Sequence, residues 1–116
     1  MHQGVWSDFG NRFVNTYKVI TIDLPGFGKS SILPSPFSLD QVADQLIQYL
    51  VGQEIINSAV IGHSLGGYVA LEMIKQRPDL FSAIGLFHST AYADSAEKKE
   101  SRTKVIEFVE KNGALA

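Results

Sequence analysis

The 116-residue chain is predicted to be an α/β protein, with parallel sheet strands under covering helices. Two observations predict it. Strand-like and helix-like stretches alternate along the chain, which is the order a parallel sheet with crossover helices requires. A single serine, Ser64, also stands between glycines in "GHSLG", where a strand-like run passes into a helix-like one.

Each element has a local reason. Before residue 17, Val5, Trp6, Phe9 and Phe13 recur at helical spacing and predict a helix that packs onto the sheet. Residues 17–24, "YKVITIDL", are rich in β-branched and aromatic side chains and stop at "PGFG", so they predict a buried strand followed by a turn. A helix follows in "SPFSLDQVADQLIQYLVGQ". Ser38 and Gln41 have the spacing of a reciprocal cap, Val42, Leu46 and Leu50 form a stripe with Ala43 and Ile47 beside it, and Gly52 marks the stop. "INSAVIG" predicts a second strand that leads straight into Ser64. Over 65–76 a helix is expected with Val69, Ala70, Met73 and Ile74 inward and Pro78 just past its end. "FSAIGLFHS" predicts the third strand. The tail from 94 to 112 predicts a helix opened by Asp94 and Glu97 and closed before Gly113. Its first half has no large apolar residue, so that half is expected on a surface.

Bulk composition narrows the function. Apolar residues make up 45% and charged residues 19%, values of an ordinary folded domain rather than a disordered one. The net charge is −2, with no basic face for nucleic acid and no cationic amphipathic stretch for a membrane surface. No apolar run reaches the ~20 residues of a membrane span. The start, "MHQGVWSDFGNRF", lacks the charged and apolar regions of a secretory signal. With no cysteine, thiolate metal sites and disulfides are excluded. The expectation is a cytoplasmic protein with a small-molecule substrate, no nucleic-acid or membrane partner, and neither cofactor nor metal.

The Gly62-x-Ser64-x-Gly66 pattern has a mechanical reading. A sharp strand-to-helix reversal strains the serine and lifts its hydroxyl above the sheet edge, and glycines on either side avoid collision. The helix that begins at Leu65 directs free N–H groups at the same spot, which makes the Leu65 N–H a candidate oxyanion donor. Gly67 is expected to let this helix lie close to neighbouring backbone. A nucleotide-binding reading of "GFGKS" fails: G-x-x-x-x-G-K-[ST] requires glycine where Asp23 stands, and G-x-G-x-x-G fails at Ser31.

"GHSLGG" after one strand, with "DLPGFGKS" after an earlier one, resembles the α/β-hydrolase superfamily, within it the serine esterases and C–C hydrolases that carry a helical cap. The resemblance implies a partial α/β-hydrolase core over 1–93 and the start of the cap over 94–116. It implies Ser64 as nucleophile and Leu65 as oxyanion donor, with hydrolysis of an ester, thioester or activated C–C bond through an acyl-serine. A ligand-binding receptor or a non-hydrolytic lyase or synthase on the same fold stays open.

The rest of such a site is harder to place. A serine hydrolase needs an imidazole to take the hydroxyl proton and an acid to orient it, and the family puts both after later strands. His2 precedes the serine. His63 adjoins it and His88 closes the third strand, and both are possible pocket residues. Asp94 is read as a helix cap and Asp23 as the brace of the neighbouring turn. The family's "HG" turn is not reproduced by His2-x-Gly4, and its missing strand belongs between residues 17–24 and the strand ending at Ile61. The chain is therefore read as an internal portion of an α/β-hydrolase, inactive alone, able to self-associate through unpaired strand edges.

Overall fold

A computed structural model describes residues 2–34 and 36–113. Its elements are a 3₁₀ turn over Gln3–Trp6, α1 (Ser7–Asn11), α2 (Leu39–Gly52), β1 (Ser58–His63), α3 (Leu65–Gln76), a 3₁₀ turn over Pro78–Leu80, β2 (Phe81–Phe87) and α4 (Ala96–Asn112). β1 and β2 pair in parallel, with Ala59 opposite Ala83 and His63 opposite Phe87. α3 makes the crossover between them, as the alternation of elements requires.

The core forms where the sequence pattern is strongest. Val42, Ala43, Ile47 and Leu50 of α2 are buried against Val69 and Met73 of α3 and Leu80. Leu46 and Leu24 pack at its margin. Gln41 accepts the Ser38 N–H at 3.0 Å, one half of the expected capping box, and α2 ends at Gly52. The core thus lies between two helices, with the sheet along one side of α3.

Residues 17–24 correct an expectation. They form neither helix nor paired strand among the described residues, and Tyr17 is 65% exposed. The composition is that of a strand, but a strand also needs a neighbour to bond. Between this segment and β1 lies a cleft of about 970 Å³, lined by Ile20 and Ile22 on one side and by Ala59, Val60 and Ile61 on the other.

The N-terminal helix is also shorter than its apolar spacing suggests. α1 ends at Asn11, and Phe13 lies in the turns that follow, because Gly10 and Asn11 are poor helix formers. β2 stops at Phe87, one residue before His88. At α4 the cap is Ser95, whose hydroxyl accepts the Lys98 N–H at 3.3 Å, and not Asp94. Asp94 instead pairs with Arg102 Nε at 2.6 Å. No described residue of α4 is buried. The Cα radius of gyration, 15.5 Å, exceeds the about 13 Å of a compact chain near this length, as a projecting helix requires. Residues 114–116 of the expected cap lie outside the described residues. No helix among the described residues is long and apolar enough to cross a membrane.

The helix–helix core predicts a contrast within α2. Ile47→Ala is expected to cost about 2–5 kcal/mol, whereas Tyr49→Ala on the exposed face should stay within about 0.5 kcal/mol. Urea melts followed by circular dichroism check both.

Candidate functional site

Ser64 joins β1 to α3 with φ +52° and ψ −118°, torsions that an L-residue with a side chain rarely adopts. The reversal is held by backbone on both sides. The Ser64 N–H donates to Phe87 O at 2.9 Å, one step beyond the β1–β2 ladder, and the Gly67 N–H donates to Ser64 O at 2.9 Å. The Ser64 side chain is half-buried at the end of the strands.

The glycines divide the steric work unevenly. A Cβ on Gly62 would lie 2.3 Å from the Gly66 carbonyl oxygen and 2.5 Å from Gly67 Cα, so only glycine fits at 62. A Cβ on Gly66 would meet nothing within 4 Å, which corrects the expectation that both flanking glycines relieve a clash. Gly67 lies against a side chain rather than against backbone: its Cβ would fall 2.1 Å from Ser89 Oγ.

Leu65 opens α3, whose first N–H groups have no earlier helical carbonyl to bond. His63 and His88, the two expected pocket residues, are brought together with ring centroids 5.6 Å apart. His88 follows β2 with φ +47°, in the left-handed region like Ser64, Glu54 and Asn57. Trp6 reaches the same place, edge-to-face with His63 at 6.4 Å and with Phe87 at 6.1 Å. Sequence reading placed Trp6 on a helix face and missed its position here. No cluster of three metal-ligating side chains occurs among the described residues. Ser64 does not line the large cleft, although Gly62, His63, Leu65 and Gly66 do.

Asp23 braces the "PGFGKS" turn, as expected, and does more. Its carboxylate accepts the Lys29 N–H at 3.0 Å and the Gln3 N–H at 2.5 Å, while its carbonyl accepts the Ser30 hydroxyl. A Cβ on Gly28, at φ +53°, would lie 2.2 Å from this carboxylate. The Lys29 and Gln3 N–H bonds, in that order, hold the Asp23 carboxyl below its ordinary pKa, against some desolvation and with smaller help from the charge of Lys29.

Two predictions follow from this geometry. Gly62→Ala should prevent α3 from docking on β1, and thermal melting should show the loss as a lower or absent transition. A depressed carboxyl stabilises the fold above its unfolded pKa of about 3.9, and that stability is lost as pH falls through the lower folded value. Acid unfolding of the wild type should therefore include a contribution below about pH 4 that Asp23→Asn lacks, read by melts across pH 2–5.

Comparisons with known proteins agree with this architecture. The profile of the Alpha/beta hydrolase family matches residues 1–114. The chain is 33% identical over 90 residues to the pimeloyl-[acyl-carrier protein] methyl ester esterase of Methylococcus capsulatus, covering 78% of this chain and 34% of that protein. It is 39% identical over 66 residues to the 2-succinyl-6-hydroxy-2,4-cyclohexadiene-1-carboxylate synthase of Escherichia coli, covering 57% of this chain and 25% of that one. A solved thermophilic esterase from Thermogutta terrifontis superposes with a TM-score of 0.86 at 29% identity, over 97% of this chain and 42% of the esterase. The chain thus spans about a third or less of these two curated relatives and under half of the solved esterase. With the sharp reversal at Ser64, the parallel pair around it and a family profile that runs almost end to end, the chain belongs to the alpha/beta hydrolase family.

Proposed function

We propose that residues 1–93 are part of the core of a serine hydrolase that cleaves an ester, thioester or activated C–C bond of a small molecule in the cytoplasm. The observation that carries this reading is the positive φ of Ser64 at a strand-to-helix junction, the geometry of a nucleophile elbow. In the proposed reaction Ser64 Oγ attacks the substrate carbonyl carbon, and an imidazole takes the hydroxyl proton. The Leu65 N–H steadies the developing oxyanion, and the imidazole proton leaves with the departing group. Water then attacks the acyl-serine, releasing the acid and restoring the hydroxyl. His63 and His88 wall the pocket, with the imidazole and acid supplied from outside residues 1–116. Residues 94–116 begin the cap. The reading needs neither metal nor cofactor.

The cleft supports the view that this portion is incomplete by itself. Both of its walls are segments that would pair with a strand between them, and their open edges favour self-association. The similarity to a synthase favours one second reading, a lyase or synthase that uses the same serine turn without hydrolysis.

In the full-length protein, a fluorophosphonate probe should label Ser64, and Ser64→Ala should abolish labelling and lower ester turnover by about 10⁴–10⁶-fold. Residues 1–116 alone should bind a hydrophobic dye and give no steady hydrolysis of p-nitrophenyl esters. A full-length protein that ignores the probe yet converts its substrate would support the synthase reading. Steady ester hydrolysis by 1–116, lost in Ser64→Ala, would show that this portion is self-sufficient.

A further inference from the structure

A bridge runs from Asp23 through one short turn to the rings of His63, the residue before Ser64, and Phe87. At one end Asp23, only 8% exposed, takes the Gln3 N–H at 2.5 Å as well as the Lys29 N–H at 3.0 Å. The Gln3 side chain reinforces this end, with Nε2 3.5 Å from Asp23 Oδ2 and Oε1 accepting the Thr21 hydroxyl at 2.9 Å. The middle is one 3₁₀ turn, Gln3–Trp6, whose start is capped by His2, the imidazole accepting the Gly4 N–H at 3.0 Å. The other end is the Trp6 indole, set edge-to-face on His63 and Phe87 with interplanar angles of 87° and 83°. One short turn separates the carboxylate from the ring, so the two ends cannot move independently.

We infer that Asp23 is a positioning residue for the Ser64 site: its carboxylate fixes the Gln3–Trp6 turn, and the turn sets the indole of Trp6 against His63, next to Ser64. The chemistry needs a carboxylate there. An ionised carboxylate only accepts, and its two oxygens serve two N–H groups from separate segments with charge-assisted bonds, about twice as strong as neutral ones. An asparagine would turn an NH₂ toward one of these donors and leave it unpaired in a partly buried place. A role confined to the "PGFGKS" turn would leave Trp6 unmoved, which separates the two possibilities.

Trp6 is the only tryptophan in the chain, so tryptophan emission reports this site alone. The bridge uses the Gln3 backbone N–H, and Gln3 is the first residue of its turn, after an extended His2 at φ −148° and ψ 169°. Proline is tolerated at such a position and deletes the donor. Asp23→Asn and Gln3→Pro should each shift Trp6 emission to the red and raise its quenching by acrylamide, with far-UV circular dichroism unchanged. Gln3→Ala, which keeps the N–H, should resemble the wild type. In the full-length protein both disruptive variants should label with fluorophosphonate up to about 100-fold more slowly, the scale of a misplacement of about 1 Å at a reacting site. That last arm rests on Ser64 being the nucleophile. If wild-type Ser64 does not label, the nucleophile reading fails while the emission result still decides the bridge. Should Asp23→Asn unfold, Gln3→Pro carries the test, since it leaves the Lys29 bond in place. Unchanged Trp6 emission and quenching in folded Gln3→Pro overturns the inference.

Discussion

At Ser64 the strand and the helix that follows it meet backbone to backbone, and the rest of the fold is arranged around that contact. No side chain fits at Gly62, because the carbonyl of Gly66 occupies the place a Cβ would take. Once β1 and α3 are fixed this closely, α3 lies along the sheet and offers Val69 and Met73 to α2, and the core closes between the two helices. The strained torsions at Ser64 follow from the same contact. Such strain costs on the order of 1–3 kcal/mol and persists only where the surroundings over-determine it. Here a bond to Phe87 O, just past the ladder, and a bond from the Gly67 N–H hold the residue from both sides.

The parts legible in the sequence are those decided locally. α2 and α3 follow their apolar stripes, with the first cap and the last glycine where side-chain chemistry puts them. The reversal at Ser64 was legible because the steric demand at Gly62 acts over four residues. What depends on distant partners was not. Residues 17–24 have strand composition, but pairing is a property of a neighbour and composition cannot supply one. The Asp23–Gln3 bond joins residues twenty apart, and no spacing rule reveals it. His63 and His88 meet because His63 lies opposite Phe87 in the ladder. A register shifted by one residue would have sent these side chains to opposite faces. Asp94 stands near the helix start, which makes it a cap candidate on sequence grounds. Ser95, one residue closer, fills that role and frees Asp94 for Arg102.

The open cleft sets the energetic character of the molecule. The buried core is a helix pair, while Ile61 and Ile84 on the sheet are each 40% exposed. Apolar area left in water contributes nothing to folding, at about 25 cal/mol per Å² of lost opportunity. α4 shows the same condition in another form. It is held by the Ser95 cap and by local ion pairs such as Lys104–Glu100 at 2.7 Å, and buries no described residue. Pairs of this kind stabilise a helix by only about 0.2–0.5 kcal/mol each, and most helices in proteins depend on packing instead. Val105, Ile106 and Phe108 stay exposed on this helix.

The strand ends carry one more regularity. β1 and β2 are adjacent and parallel, with His63 opposite Phe87, so the residues that follow, Ser64 and His88, occupy equivalent places. Both have positive φ, +52° and +47°, although neither is glycine. Each chain therefore turns sharply away at the same edge of the sheet, the carboxyl end, where ligands of open α/β sheets are bound. Glycine is the residue these torsions favour, and it would relieve strain at both positions. The sequence has a hydroxyl and an imidazole there instead. Positive φ is not confined to the strand ends, since Glu54 and Asn57 share it, but Ser64 and His88 are the two such residues that directly follow paired strands.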